Sequence, residues 1–139
     1  RHTRLAHHAV RDRAREKLEA VGLGNEYDKM PAELSGGMRK RAGLARALAL
    51  DPPILLVDEP SAGLDPITAD EIDGLLLSLK KRGSTTLIVV THDIASARRL
   101  GDTLLMLHEG RIVASGSPED LTRSSDPLVR SFMSSQHSG

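Results

Sequence analysis

The chain has 139 residues, no cysteine and a formal net charge of zero. This length fits one domain, and the lack of cysteine excludes a disulfide framework and a Cys-ligated metal and suits a reducing compartment. The neutral charge and the single Tyr and Phe argue against nucleic-acid binding, which needs basic patches and aromatic rings. No apolar run approaches the roughly 18–20 residues of a membrane span. The sequence starts without Met or an apolar leader, so we expect an internal cut in a longer protein.

Two helices are predicted in the first 50 residues. Apolar residues recur at helical spacing over residues 4–21, and Gly22 follows as a terminator. A second helix is predicted over about residues 38–50, after the Gly36-Gly37 turn, and the two prolines that follow Asp51 end it. We interpret three histidines near the start as a solvated helix face rather than a metal site, because no carboxylate or cysteine cluster joins them: His2, His7 and His8.

The middle of the chain alternates strands with a helix. Residues 54–57 and 85–90 are short apolar runs, which predict strands buried on both faces. Between them, Asp65 as N-cap, Pro66 at the first helical position and Gly83 at the end predict a helix. This alternation favours a parallel α/β sheet.

The last third is predicted to hold a short helix over residues 93–100 and a hairpin of residues 103–107 with 111–114. A capped helix should open at Ser117, and residues 134–139 should form a loose tail.

Polar groups stand at the places where such a fold binds phosphates. Ser35, Gly36 and Gly37 put unpaired backbone N–H groups at a helix start, which attracts anions, although this triplet also fits an ordinary helix–helix turn. Asp58 and Glu59 end the first strand, at the edge where α/β sheets bind ligands. An Asp-Glu pair also fits a strand-end cap beside an exposed side chain. His92, after the second strand, would by itself usually be structural.

Four segments in fixed order resemble the signature, Walker B, D-loop and H-loop of ABC-transporter ATPases. They are Glu33-Leu-Ser-Gly-Gly-Met38, Ile54-Leu-Leu-Val-Asp-Glu-Pro60, Ser61-Ala-Gly-Leu-Asp65 and Thr91-His92-Asp93. The resemblance implies an α/β fold, a partial P-loop NTPase domain with a helical-subdomain segment, parallel-sheet core strands and a C-terminal hairpin with helices. No Gly-Lys pair occurs, so the Walker A loop is absent, and the only Gln is Gln136, which leaves no Q-loop candidate.

The chain is therefore expected to form a single incomplete domain that covers about the second half of the family's domain. Its predicted parts are a helical and signature segment over residues 1–50, a catalytic core and hairpin over 51–116, and C-terminal helices with a tail over 117–139.

The resemblance implies ATP and Mg²⁺ as cofactors and assigns roles within one protomer. Asp58 would hold Mg²⁺, Glu59 would act as the general base on the attacking water, and His92 would contact the γ-phosphate.

Other residues would act across a dimer. Ser35, Gly36 and Gly37 would cap the γ-phosphate of ATP bound to a second protomer in a homodimer, and Asp65 would both cap its helix and cross the interface as the D-loop aspartate.

Finer cues resemble the ATPases of Mla-type phospholipid transporters, which work with a permease and an MCE lipid-binding protein. Met38 stands where Gln is commonest, Arg39-Lys40-Arg41 follows, and residues 63–68 and 126–132 fit the same subfamily. The implied protein couples ATP hydrolysis to transport, peripherally on the cytoplasmic face of the inner or plasma membrane.

Two alternatives stay open. The first is a soluble ABC ATPase of DNA repair or translation, which the neutral charge and the lack of basic clusters beyond residues 39–41 disfavour. The second is an inactive truncated half-domain, and the isolated chain is predicted to be inactive because it lacks the Walker A loop.

Overall fold

The structure is a computed structural model that describes residues 7–83 and 85–135. It divides into two compact units, residues 1–88 and 89–139. The first contains the helices α1 (His7–Ala20), α2 (Gly36–Ala47) and α3 (Pro66–Lys81), the strand β1 (Ile54–Asp58) and most of β2 (Thr86–Val90). The second contains the helices α4 (Ile94–Leu100), α5 (Pro118–Thr122) and α6 (Pro127–Ser134) and the strands β3 (Leu104–His108) and β4 (Arg111–Gly116). The finer division at residues 50 and 116 stays a prediction.

The helix α3 follows its predicted boundaries. The Asp65 carboxylate accepts hydrogen bonds from the backbone N–H of Ile67 at 3.1 Å and of Thr68 at 3.0 Å, so it is the N-cap. Pro66 is the first helical residue, and Gly83 ends the segment with a φ of 69°. The prediction of this helix from its terminal residues is confirmed.

The helix α2 begins two residues earlier than predicted. Ser35 is its N-cap and accepts a hydrogen bond at 3.2 Å from the backbone N–H of Met38, so Gly36 and Gly37 form the first turn rather than a turn before the helix. Its predicted last residues form a separate 3-10 turn, Leu48–Leu50, which Asp51 ends with a left-handed φ of 45°.

The first unit is held together by apolar packing and by ion pairs between helices. Its buried side chains include Val21, Leu44, Leu48, Ile72 and Leu76. Lys17 on α1 contacts Asp51 at 2.7 Å, and Arg13 contacts the same carboxylate. Arg41 on α2 pairs with Glu71 on α3. The strands β1 and β2 are neighbours in one sheet, and α3 connects them.

The strands β1 and β2 are not covered on both faces, so that prediction was wrong. On β1, Leu55 and Val57 are buried, whereas Ile54 is 56% and Leu56 is 73% exposed. On β2, Ile88 is 49% and Val90 is 58% exposed. The apolar composition of a strand shows what it can bury, but it does not show what packs against each face.

The second unit contains the predicted hairpin. β3 and β4 are antiparallel, and Glu109 and Gly110 connect them with φ values of 47° and 74°, the two positive values of a type I′ turn. The register shifts between Met106 and Leu107. α4 starts after its N-cap Asp93, and α5 starts with a capping box at Ser117, close to the predicted boundaries.

A small apolar core supports this unit, formed by Ile94, Met106, Leu121, Val129 and Met133. Of the tail predicted to be loose, residues 136–139 lie outside the described residues. None of the helices in residues 7–83 and 85–135 has both the length and the apolar composition that a membrane crossing requires.

Candidate functional site

The start of α2 presents the serine and the first glycine of the signature segment at the surface. Ser35 and Gly36 are exposed, and Gly37 is buried. The first backbone N–H groups of a helix have no acceptor within the helix. The N–H of Met38 donates instead to the Ser35 hydroxyl oxygen. The remaining donors of this turn could bind an anion such as a phosphate oxygen.

Gly37 is packed against the first turn of α3. A Cβ built on Gly37 would lie less than 3.0 Å from Cγ2 of Thr68, and one built on Gly36 would lie 3.5 Å from Cδ2 of Leu64. A side chain at position 37 would force Thr68 to shift, because its Cβ would overlap the Thr68 methyl carbon. The signature turn is therefore in direct contact with the segment that leads into α3.

The two candidate carboxylates follow one another at the end of β1. Asp58 is the last residue of the strand and is exposed, whereas Glu59 is half-buried and begins the turn. Glu59 has a φ of 46°, in the left-handed region that non-glycine residues rarely adopt. The next residue, Pro60, is buried.

Lys40 on α2 contacts the backbone of Glu59. Its ammonium Nζ donates a hydrogen bond of 2.8 Å to the Glu59 carbonyl oxygen, in a half-buried position. The same oxygen accepts a weaker bond of 3.3 Å from the backbone N–H of Ala62. The turn that carries the Glu59 carboxylate is thereby attached to the helix that starts with the signature segment.

Asp65 is fixed by the cap of α3. Its Oδ2 accepts a hydrogen bond of 2.6 Å from the Thr68 hydroxyl, and its Oδ1 accepts the two backbone N–H groups of the cap. These bonds hold the pKa of Asp65 below its ordinary value of 3.8, and the bond from the Thr68 hydroxyl is the largest cause. The side chain is thus kept ionised and oriented while the residue itself is exposed.

His92 lies in the second unit, between β2 and α4, and it is exposed. Its neighbours shape the turn: the backbone N–H of Asp93 donates to the Thr91 hydroxyl oxygen at 3.0 Å, and the Asp93 carboxylate caps α4. The position after a strand agrees with the sequence prediction, and the role of His92 stays a prediction.

Within the first unit, two contacts connect α2 to the other candidate segments. Gly37 packs against Thr68 in the first turn of α3, and Lys40 bonds to the backbone carbonyl of Glu59 in the turn after β1. Sequence reasoning missed Lys40 and Thr68. Lys40 stood inside a basic triplet that suggested only a subfamily, and no sequence signal pairs residues that lie 19 or 31 positions apart with a specific acceptor or contact.

Comparison with known proteins shows which proteins the chain is similar to. The family model described as "ABC transporter" matches residues 1–62. The chain is 44% identical over 138 residues to a protein named probable ribonucleotide transport ATP-binding protein mkl, from Mycobacterium leprae, a match that covers 99% of this chain and 40% of that protein. The chain is part of an ABC-transporter ATP-binding domain.

A second relative of this ABC ATP-binding segment is the intermembrane phospholipid transport system ATP-binding protein MlaF of Haemophilus influenzae. The two are 40% identical over 138 residues, which is 99% of this chain and 52% of MlaF. The solved dimeric structure of the ATP-binding cassette MJ0796, bound to ADP and Pi, matches with a TM-score of 0.72 and 36% identity, over 84% of this chain and 50% of that one.

The predicted fold class is confirmed: the segment has the α/β fold of an ABC ATPase and corresponds to about half of such a domain. The ABC segment spans about 40–52% of the length of the two relatives.

Proposed function

We propose that this chain is the C-terminal part of the ATP-hydrolysing subunit of an ABC transporter. The observation that supports it most is that Asp58 ends a strand and Glu59 begins the following turn, which is bonded to the signature helix through Lys40. Two carboxylates at the end of a strand fit the edge where α/β proteins bind nucleotides. The homology to ATP-binding proteins over 138 residues supports the same function.

Asp58 is the proposed Mg²⁺ ligand. Mg²⁺ in nucleotide sites takes one or two carboxylates and completes its shell with water and phosphate oxygens. The residues present fit this need, because Asp58 is an exposed carboxylate at the strand end with Glu59 beside it. When bound, the ion would neutralise charge on the phosphates of ATP.

Glu59 is the proposed general base. A carboxylate that accepts a proton from the attacking water must be held within hydrogen-bond reach of it, and the turn at Glu59 is held by Lys40. His92 is proposed to contact the γ-phosphate and to orient the same water.

The signature turn is proposed to act on a second protomer. Ser35, Gly36 and Gly37 would contact the γ-phosphate of ATP held by the partner in a homodimer, and Asp65 would lie at the same interface. The similarity to a cassette solved as a dimer with ADP and Pi supports this arrangement.

The transported substrate is proposed to be a phospholipid, with a membrane permease and an MCE lipid-binding protein as partners at the cytoplasmic face of the membrane. The cues are Met38 with residues 39–41, and residues 126–132. The similarity to MlaF supports this, whereas mkl, at comparable identity, is named for ribonucleotide transport. Hydrolysis by the complex reconstituted with its permease should rise with phospholipid and not with ribonucleotides; the reverse result would contradict the lipid assignment.

Replacement of the proposed base tests the hydrolytic function. In the full-length protein, Glu59→Gln should retain ATP binding and lower kcat by about 10²–10⁴-fold, because the amide cannot accept the proton. We expect the Glu59→Gln variant to persist as an ATP-bound dimer, which size-exclusion chromatography with Mg²⁺ and ATP would detect. Near-normal turnover by Glu59→Gln would remove Glu59 from this role and leave His92 as the next candidate.

A further inference from the structure

We propose that Lys40 is a positioning residue for ATP hydrolysis, which holds the backbone of Glu59 so that its carboxylate faces the attacking water. The inference rests on the proposed role of Glu59 as general base. Lys40 itself would touch neither nucleotide nor water.

The first argument is the geometry of the contact. The Lys40 ammonium donates to the Glu59 carbonyl at 2.8 Å, and the site is half-buried. A hydrogen bond with a charged donor is stronger than a neutral one, and partial burial reduces competition from water. The bond that the same oxygen accepts from the backbone N–H of Ala62 is longer, at 3.3 Å, and its donor is neutral.

The second argument is the conformation that this bond stabilises. Glu59 has a φ of 46°, and a non-glycine residue in the left-handed region persists only where its surroundings hold it there. A donor fixed on the carbonyl restrains the peptide plane that follows Glu59. Relaxation of Glu59 from the left-handed conformation would turn its Cα–Cβ bond, so loss of the donor would let the carboxylate move without unfolding the strand.

The third argument is the place of Lys40 on its helix. Lys40 follows Gly37 by one helical turn, on the helix that opens with the signature residues. The start of α2 is fixed against α3 by the contact of Gly37 with Thr68. One rigid helix thus links the turn proposed to contact the partner's nucleotide to the turn that carries this protomer's own base.

The test uses four single variants and one double variant of the full-length protein. Lys40→Met keeps the length of the side chain and removes the charge and the donor. Lys40→Arg keeps both. Lys81→Met removes an exposed lysine at the far end of α3 and serves as the matched control. Glu59→Gln, alone and combined with Lys40→Met, reports on the base.

We expect Lys40→Met to lower kcat by about 10–100-fold, because a small misplacement of a catalytic group has effects of this size. The KM for ATP should stay within about twofold, because ATP contacts other residues. Lys40→Arg should recover most of the rate, and Lys81→Met should match the wild type. The double variant should be no slower than Glu59→Gln alone, because Lys40 acts only through Glu59.

The outcomes separate this proposal from the one on which it rests. Near-normal hydrolysis by Glu59→Gln would overturn the base assignment and the role of Lys40 with it. An inactive Glu59→Gln beside a wild-type rate for Lys40→Met, or a further loss in the double variant, would overturn the role of Lys40 alone. If Lys40→Met does not fold, Lys40→Gln replaces it; loss of fold in both would show that Lys40 is structural and would also overturn the proposal.

Discussion

Gly37 and Thr68 lie in contact although they belong to different helices: a Cβ on Gly37 would lie less than 3.0 Å from the methyl carbon of Thr68. The Thr68 side chain cannot rotate away freely, because its hydroxyl is bonded to the Asp65 carboxylate at 2.6 Å. The signature glycine is thus required by packing within this unit, apart from any contact with a nucleotide.

Gly37→Ala should therefore destabilise the full-length protein. Forcing one extra methyl into a packed contact costs about 1–3 kcal/mol, more than alanine gains in a helix over glycine. The urea midpoint should fall. Gly43→Ala is the matched control on the same helix, because nothing lies within 4 Å of its Cβ position, and it should raise stability by about 0.5–1 kcal/mol.

Thr68→Ser should rescue Gly37→Ala, because serine keeps the hydroxyl bonded to Asp65 and removes the methyl group that would clash. The double variant should regain most of the lost urea midpoint. If Thr68→Ser gives no recovery, the destabilisation arises elsewhere than in this contact.

The stability of the protein should depend on the ionisation of Asp65. The pKa of Asp65 is lowered by the Thr68 hydroxyl and by the N–H groups of the cap, so its contribution to folding is fully present above its unfolded value near 3.8 and is lost as the pH falls through the folded pKa. Asp65→Asn, which still caps, should weaken the decline of stability below about pH 4. Asp28→Asn, in an exposed loop, should leave the decline as in wild type; an equal effect of the two variants would contradict the assignment.

Ser35→Arg should separate nucleotide binding from dimerisation in the full-length protein. The cation would occupy the position expected for a phosphate of the partner, so ATP should still bind while the ATP-dependent dimer does not form. Ser35→Ala is the control for the lost N-cap, an effect of about 1 kcal/mol on stability. Light scattering with ATP in the Glu59→Gln background measures the dimer. A dimer of normal stability with Ser35→Arg would rule out action across the interface.

The isolated 139-residue chain should associate and should not hydrolyse ATP. It has no Walker A lysine to hold the β- and γ-phosphates, and Leu56 and Ile88 expose apolar side chains on neighbouring strands. Leu56→Lys combined with Ile88→Lys should reduce association in sedimentation velocity, whereas Leu55→Lys places a charge in the core and should unfold the chain. A monodisperse, cooperatively melting wild-type chain, or Mg²⁺-dependent turnover above that of Glu59→Gln, would contradict this prediction.

Local sequence signals such as helix caps predicted the helices and strands, but they did not predict the contacts between residues that lie far apart in the chain. The boundaries of α3 followed from Asp65, Pro66 and Gly83, because caps act within one turn of the residues that form them. The start of α2 was misplaced because two glycines suggested a turn, while the cap on Ser35 allows them to be helical. The position of Asp58 at the end of β1 was predictable, because the carboxylate follows directly after the apolar run. The bond from Lys40 to Glu59 was not, because it depends on the packing of α2 beside that turn.

The left-handed backbone at Glu59 implies a trade-off between the proposed activity and thermostability, because glycine would suit this conformation better than glutamate. A non-glycine residue in this conformation costs about 1–3 kcal/mol, whereas the added freedom of glycine in the unfolded chain costs only about 0.4–1 kcal/mol. A population of variants selected for heat resistance alone would therefore gain from glycine at position 59 and would lose the carboxylate that we propose as the general base. With that role, glutamate would be kept at this position only while selection includes ATP turnover.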